Sequence, residues 1–260
     1  MPRRRTPRDA RRRALGQNFI HDQGVVADVI GTLHPPPNGL VVDLGAGAGA
    51  LTSALAARRA RVLAVELDPA WVQVLRTHAP AWGDVTVRQG DALRFPFPRE
   101  PFQLVSNAPY NIGTKLVRRV LAEAHGLTRG VIVLQRETAH RLAGRGRFAA
   151  TWAPWFELRV DGRIPARAFR PVPSVESAIL TIVPRAVPLL SPAAFAPYDA
   201  FLARVFSGRE PTLAQRVPGR RRTLAQAGLP RDATPASVAP EAYARLYGAL
   251  AGNSDLVGRL

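Results

Sequence analysis

The chain has 260 residues, 47% of them hydrophobic, which suits one sizeable domain plus a small second one with packed cores. It has no cysteine, which excludes a disulfide scaffold and a thiolate metal site and fits a reducing cytoplasm; no metal is expected. Its 36 basic against 19 acidic residues, a net charge of +17, point to a polyanionic partner, nucleic acid above all: a GC-rich genome accounts for Arg in place of Lys but not for the shortage of acids.

In chain order, residues 1–13 (MPRRRTPRDARRR) are basic, contain Pro, lack the apolar stretch of a secretory signal, and read as a disordered basic arm. Strands and helices then alternate. Leu40–Leu44 is a short apolar strand running into glycines, Thr52–Arg59 an Ala-rich helix, Val62–Glu66 a second strand, and Ala70–His78 a helix with Pro69 in its first turn. Val85–Arg88 and Gln103–Ser106 read as strands three and four, Lys115–His125 as an amphipathic helix, Gly130–Leu134 as strand five and Glu137–Leu142 as the start of a helix. Phe156–Asp161 and Ala178–Val183 are late strands with no long helix between them, an expected antiparallel pair at one edge. After Pro184 the texture changes: Pro188, Pro192 and Pro197 punctuate a linker, and short Ala/Leu/Arg helices follow. The pattern predicts an α/β fold with a mostly parallel, Rossmann-like sheet over 14–185 and a small all-helical domain over 186–260. No apolar run approaches the ~20 residues that span a bilayer, so no membrane association is expected.

Two stretches carry chemistry. VVDLGAGAGALT (41–52) is a strand, a glycine turn and a helix start. Gly45, Gly47 and Gly49 let a ligand approach the backbone, the helix start favours a negative group, and Glu66 ends the next strand where a ribose hydroxyl is held in Rossmann-type sites. NAD and S-adenosylmethionine (SAM) sites share this arrangement, and a turn that only serves helix–sheet packing has the same glycines. The spacing G-x-G-x-G rather than G-x-G-x-x-G favours SAM, as does Asp91 after strand three, placed to accept from an adenine amino group. A lone Asp there is also a common turn former.

SNAPYN (106–111) ends strand four, facing the same crevice. An exocyclic amine on a base is a feeble nucleophile, because its lone pair is delocalised into the ring. Two acceptors on its hydrogens draw the nitrogen toward tetrahedral geometry. Asn107 Oδ1 and the Ala108 carbonyl are the candidate acceptors, and Tyr110 the stacking face, worth about 1–3 kcal/mol per base. A simple Asx–Pro turn is the bland alternative.

With these residues in view, the chain resembles the rRNA adenine N6-methyltransferases, the group of the erythromycin-resistance (Erm) enzymes and the small-subunit rRNA dimethyladenosine transferases. GQNFI (16–20), DLGAGAGALT (43–52), VELD (65–68), GDA (90–92), SNAPYN, QRETAHRLAG (135–144) and FRPVPSVES (169–177) match its successive motifs in order, over about residues 14–185. The resemblance implies that Asn18 and Ile20 lie along the cofactor. It further implies that Gly45, Glu66, Asp91 and Asn107 contact SAM, with Gly47 in the same turn, that Asn107 and Tyr110 handle the target adenine, and that Phe169 is the second aromatic of its pocket. From the residues alone, Phe169 is a rigid aromatic loop position or a core anchor. Asp43 stands where many members have Glu, Ala108 where Leu or Ile is usual, and the C-terminal helices carry no transferable motif. The basic arm and short C-terminal region look more like Erm, which implies N6-methylation of one adenine in 23S rRNA and macrolide–lincosamide–streptogramin resistance by a cytoplasmic monomer. The other readings are 16S rRNA dimethylation in ribosome biogenesis, a DNA adenine methyltransferase, and a non-catalytic RNA-binding assembly factor.

Three Arg clusters, the arm, Arg145 with Arg147, and Arg220–Arg222, are read as phosphate contacts that position RNA without reading sequence. Deleting residues 2–12 is therefore expected to lower RNA affinity and flatten its salt dependence; binding unchanged at low and high salt would remove the arm from that role.

Overall fold

The computed structural model of the chain describes residues 18–218 and 220–252. The basic arm expected over 1–13 lies outside the described residues. β1 (Phe19–Ile20) leads to Asp22, whose carboxylate accepts from the amides of Gly24 and Val25 at 2.9 and 3.2 Å and so caps α1 (Gln23–Leu33). Sequence reading passes over this helix, although Val25, Val26, Val29, Ile30 and Leu33 recur with helical period and are all buried. β2 (Leu40–Leu44) is followed by α2 (Ala50–Ala56), which starts two residues earlier than expected and stops before Arg59, held at φ 60° in the turn to β3 (Arg61–Glu66). Asp68 caps α3 (Pro69–Trp82), longer than expected, which ends at Gly83. Then come β4 (Val85–Gln89), β5 (Phe102–Asn107), α4 (Gly113–Glu123), β6 (Leu127–Gln135), α5 (Arg136–Ala143), α6 (Arg147–Trp152), β7 (Phe156–Ile164), β8 (Phe169–Arg170) and β9 (Ser177–Pro184).

The main sheet has the order β4-β3-β2-β5-β6-β9-β7, and β1 pairs antiparallel with β8 in a separate ribbon. β4, β3, β2, β5 and β6 are mutually parallel. β9 runs antiparallel to β6, with β7 outermost beside it. Helices cover both faces. Val29, Ile30 and Leu33 of α1 meet Val41, Val62 and Val131 of the sheet, and Val72 and Leu75 of α3 meet Ala64 and Val87. α4 lies on the opposite face, where Gly113 packs so closely that an added Cβ would stand 2.6 Å from Leu134 Cδ2. Strands buried on both faces read as continuous apolar runs, which is why they were legible. From β2 the chain steps outward to β3 and β4. It then returns to β5 on the other side of β2, so the loops after β2 and β5 open together at the point where the order reverses.

A first compact unit takes residues up to 139 and 159–183; a second takes 140–158 and 184 onward, where sequence reading places one cut near 186. Residues 140–158 join the second unit because Ala150 of α6 is part of its core and accepts the Tyr198 hydroxyl at 2.9 Å. That unit contains α7 (Phe195–Ser207), α8 (Leu213–Arg216), α9 (Arg220–Gln226) and α10 (Ala242–Ala251). Pro197 lies in the first turn of α7, not in the linker, since a first-turn residue needs no amide partner. Tyr198, Phe201, Leu202 and Val205 form its buried stripe. Arg145 donates to the Ser237 carbonyl at 3.2 Å and Arg147 pairs with Asp199 at 3.3 Å, exposed ties weak enough to exchange for phosphate. Among the described residues no helix is long and apolar enough to cross a membrane.

Gly49, just before α2, has φ 86°, and a Cβ there would meet Trp82 Cη2 at 2.7 Å and Leu75 Cδ2 at 2.9 Å. Gly49→Ala is expected to lower unfolding free energy by about 2–4 kcal/mol in equilibrium denaturation, from backbone strain and overpacking together. A loss under about 0.5 kcal/mol would contradict the packing described.

Candidate active site

The tips of β2 and β5 are tied together. Ser106 donates its hydroxyl to the Leu44 carbonyl at 2.6 Å, fully buried. One residue further, Asn107 Nδ2 donates to the backbone carbonyl of Asn18 at 2.7 Å. With that nitrogen committed, Oδ1 is the acceptor of the amide that no described residue uses. Asn107 lines a cleft together with Asn18, Gly45, Gly47, Glu66 and Asp91. These six residues singled out in the sequence come from the β1 entry, the β2 turn and the ends of β3, β4 and β5, and the topology brings them to one wall.

Glu66 organises that wall. Its Oε2 accepts from Gly47 N at 2.8 Å and its Oε1 from Asp68 N at 2.8 Å. Burial raises its pKa above the usual carboxylate range, opposed by these backbone bonds. The turn it holds is itself anchored to β3, with Gly45 N and Ala46 N both donating to the Val65 carbonyl at 2.8 and 3.1 Å. Gly47, at φ 54°, has no room for a side chain: a Cβ would stand 2.7 Å from Phe19 Cε1. Asp91 follows β4, its Oδ1 accepting from Leu93 N at 2.8 Å.

Ile20, Phe169 and Tyr110 do not line this cleft. Ile20 is packed into the core, because it alternates with Phe19, and Phe19 is the ring that reaches the cleft. Phe169 is 0% exposed and packed among the core side chains, so it serves as the core anchor at a strand entrance and offers no open ring face here. Tyr110 is half-buried and does not line the cleft; its hydroxyl is 2.7 Å from Ser177 Oγ, and burial raises its pKa. Sequence reasoning missed Phe19, Ser106 and Ser177. All three sit inside quoted motifs, Phe19 in GQNFI, Ser106 at the start of SNAPYN and Ser177 at the end of FRPVPSVES, but nothing in those motifs told which way their side chains point.

A family model described as Ribosomal RNA adenine dimethylase matches residues 8–251. The chain belongs to this family of rRNA adenine methyltransferases. Among curated proteins it is 40% identical over 248 residues to the mycinamicin-resistance protein MyrB of Micromonospora griseorubida, covering 87% of this chain and 76% of that protein. It is 41% identical over 204 residues to an rRNA adenine N-6-methyltransferase of Streptomyces fradiae, covering 76% of this chain but only 63%, under two thirds, of that protein. Among solved structures, the 23S rRNA methyltransferase ErmE superposes with a TM-score of 0.80 at 33% identity, over 90% of this chain and 100% of that one.

Asp43 is 1% exposed. Its Oδ2 receives the Thr52 hydroxyl at 2.6 Å, while Oδ1 is buried without a partner. Burial, helped by the nearby Glu66 charge, pushes its pKa from 3.8 up to about 7. A raised folded pKa adds stability that is complete below the unfolded value of 3.8 and is lost as pH rises to about 7. The stability of the protein is thus expected to fall by a few kcal/mol between about pH 4 and 7 relative to Asp43→Asn, which cannot ionise. Parallel stability–pH curves for the two proteins across that window would show Asp43 is not the titrating group.

Proposed function

We propose that this chain transfers a methyl group from SAM to N6 of an adenine in 23S rRNA, the modification that confers macrolide–lincosamide–streptogramin resistance. The observation that carries the reading is the Asn107 amide, turned by Asn18 so that its acceptor oxygen is uncommitted at the wall that also holds Glu66 and Asp91. That wall fits SAM: a buried carboxylate suits the ribose diol, Asp91 an adenine amino group, and Leu67, Ala92 and Ile112 the faces of a base. SAM supplies an electrophilic methyl on a sulfonium. The chain's part is to hold the target amine. Asn107 Oδ1, with the Ala108 carbonyl, accepts from the two N6 hydrogens, localises the lone pair and stabilises the positive charge that develops on nitrogen. Tyr110 provides the stacking face, and its bond to Ser177 fixes the ring plane. No strong base is needed, since the proton leaves to water after transfer. The helical unit, read over 186–260, is the RNA-binding part, and the basic residues 1–13 add phosphate contacts; the family members' rRNA substrate and the net charge of +17 support this. The protein acts as a cytoplasmic monomer.

Expression in a macrolide-susceptible bacterium, with mass spectrometry of its rRNA and a growth test, checks the reading. Methylated adenine in 23S rRNA and growth on macrolide are expected. Asn107→Ala and Tyr110→Ala should each lower methyl transfer by about 10²–10³-fold or more while the chain stays folded. Methylation of 16S rRNA instead would assign the chain to the small-subunit branch, and full turnover by both variants would reject the mechanism.

A further inference from the structure

Arg119, in the second turn of α4, does not line the cleft, yet its side chain is only 9% exposed. Nη1 donates to the Ala92 carbonyl at 2.8 Å and Nη2 to the Phe95 carbonyl at 2.6 Å. Nε donates to Glu123 Oε2 at 3.0 Å, and the guanidinium carbon lies 4.2 Å from the centroid of the Phe97 ring. A guanidinium this buried is costly to leave unpaired, so the two carbonyls and the cation hold each other in place. Both carbonyls belong to one turn, residues 91–97. It closes on itself through Arg94 N and Phe95 N, which donate to the Asp91 carbonyl at 2.9 and 2.7 Å. Asp91, Ala92 and Leu93 from that turn line the cleft. The fork of one arginine therefore sets where the Asp91 carboxylate stands. Lysine, with a point charge, cannot span two carbonyls and cover a ring at once.

We infer that Arg119 is a positioning residue for cofactor recognition: from the helix behind the target-side turn it fixes the Asp91 turn, so that selectivity for an adenine base depends on a side chain that never touches the cofactor. This rests on the proposed reading that Asp91 accepts from the adenine amino group.

The test is calorimetric binding of S-adenosylhomocysteine and of S-inosylhomocysteine, in which a carbonyl replaces the amino group, to the full chain and to Asp91→Ala, Arg119→Lys and Arg119→Met. The unaltered protein should prefer the adenine ligand. Asp91→Ala should remove that preference. Each Arg119 variant should cut it about tenfold, the worth of one hydrogen bond, with affinity for the inosine ligand within about twofold of the unaltered protein. If Arg119→Met does not fold, the lysine variant decides. Preference retained in Asp91→Ala would overturn the reading of Asp91, and the inference with it. Preference lost there but retained in the Arg119 variants would overturn the inference alone. An equal loss of both ligands in the Arg119 variants would mark Arg119 as merely structural and also overturn it.

Discussion

The hydrogen bond from Asn107 Nδ2 to the Asn18 carbonyl, 2.7 Å long, joins residues 89 apart in the chain and decides which way an amide faces. An asparagine at a strand tip has a donor end and an acceptor end of nearly equal size, and the chemistry proposed here uses only the acceptor. Supplying a backbone carbonyl for the nitrogen settles the orientation without any other side chain. It also brings the β1 entry against the tip of β5, where Phe19 closes over Gly47. The parallel order β3-β2-β5 and the Ser106–Leu44 bond then place that tip beside the glycine turn. The site is thus a consequence of sheet topology plus two short hydrogen bonds.

Around that tip the molecule keeps two carboxyl groups out of water. Glu66 is satisfied twice over by backbone amides, and in exchange it fixes the conformation of a turn that has no side chains of its own to do so. Asp43, one strand away, has one satisfied oxygen and one orphan. Burial disfavours its charged form and raises its pKa to about 7. Stability and an acidic wall are here in opposition, as is common where a fold builds a site.

Much of this was legible in the sequence for one physical reason. A sheet covered on both faces writes itself as apolar runs, and the turns at its switch point must be glycine or short polar segments. VVDLGAGAGALT, VELD, GDA and SNAPYN are those turns, and all four open on one cleft. What stayed hidden depended on direction rather than identity. Ile20 and Phe19 differ by one position, and in an extended segment that decides core against cleft. Phe169 has the same letter whether its ring is open or buried, and the β1–β8 pairing, Ile20 opposite Phe169, turns both into the core. The helix over Gln23–Leu33 was written plainly in its apolar spacing and its Asp22 cap. The role of Arg119 was hidden, since the two carbonyls it holds lie 24 and 27 residues away and only its Glu123 partner is local.

The central claim is that the Asn107 acceptor faces the atom to be methylated. The most direct measurement is a crystal structure of the chain bound to a bisubstrate analogue in which adenosine N6 is joined to the cofactor's methyl position. The account predicts N6 within about 3 Å of Asn107 Oδ1, with Nδ2 still on the Asn18 carbonyl. An amide turned so that Nδ2 faces N6, or an adenine held away from the β5 tip, would contradict it.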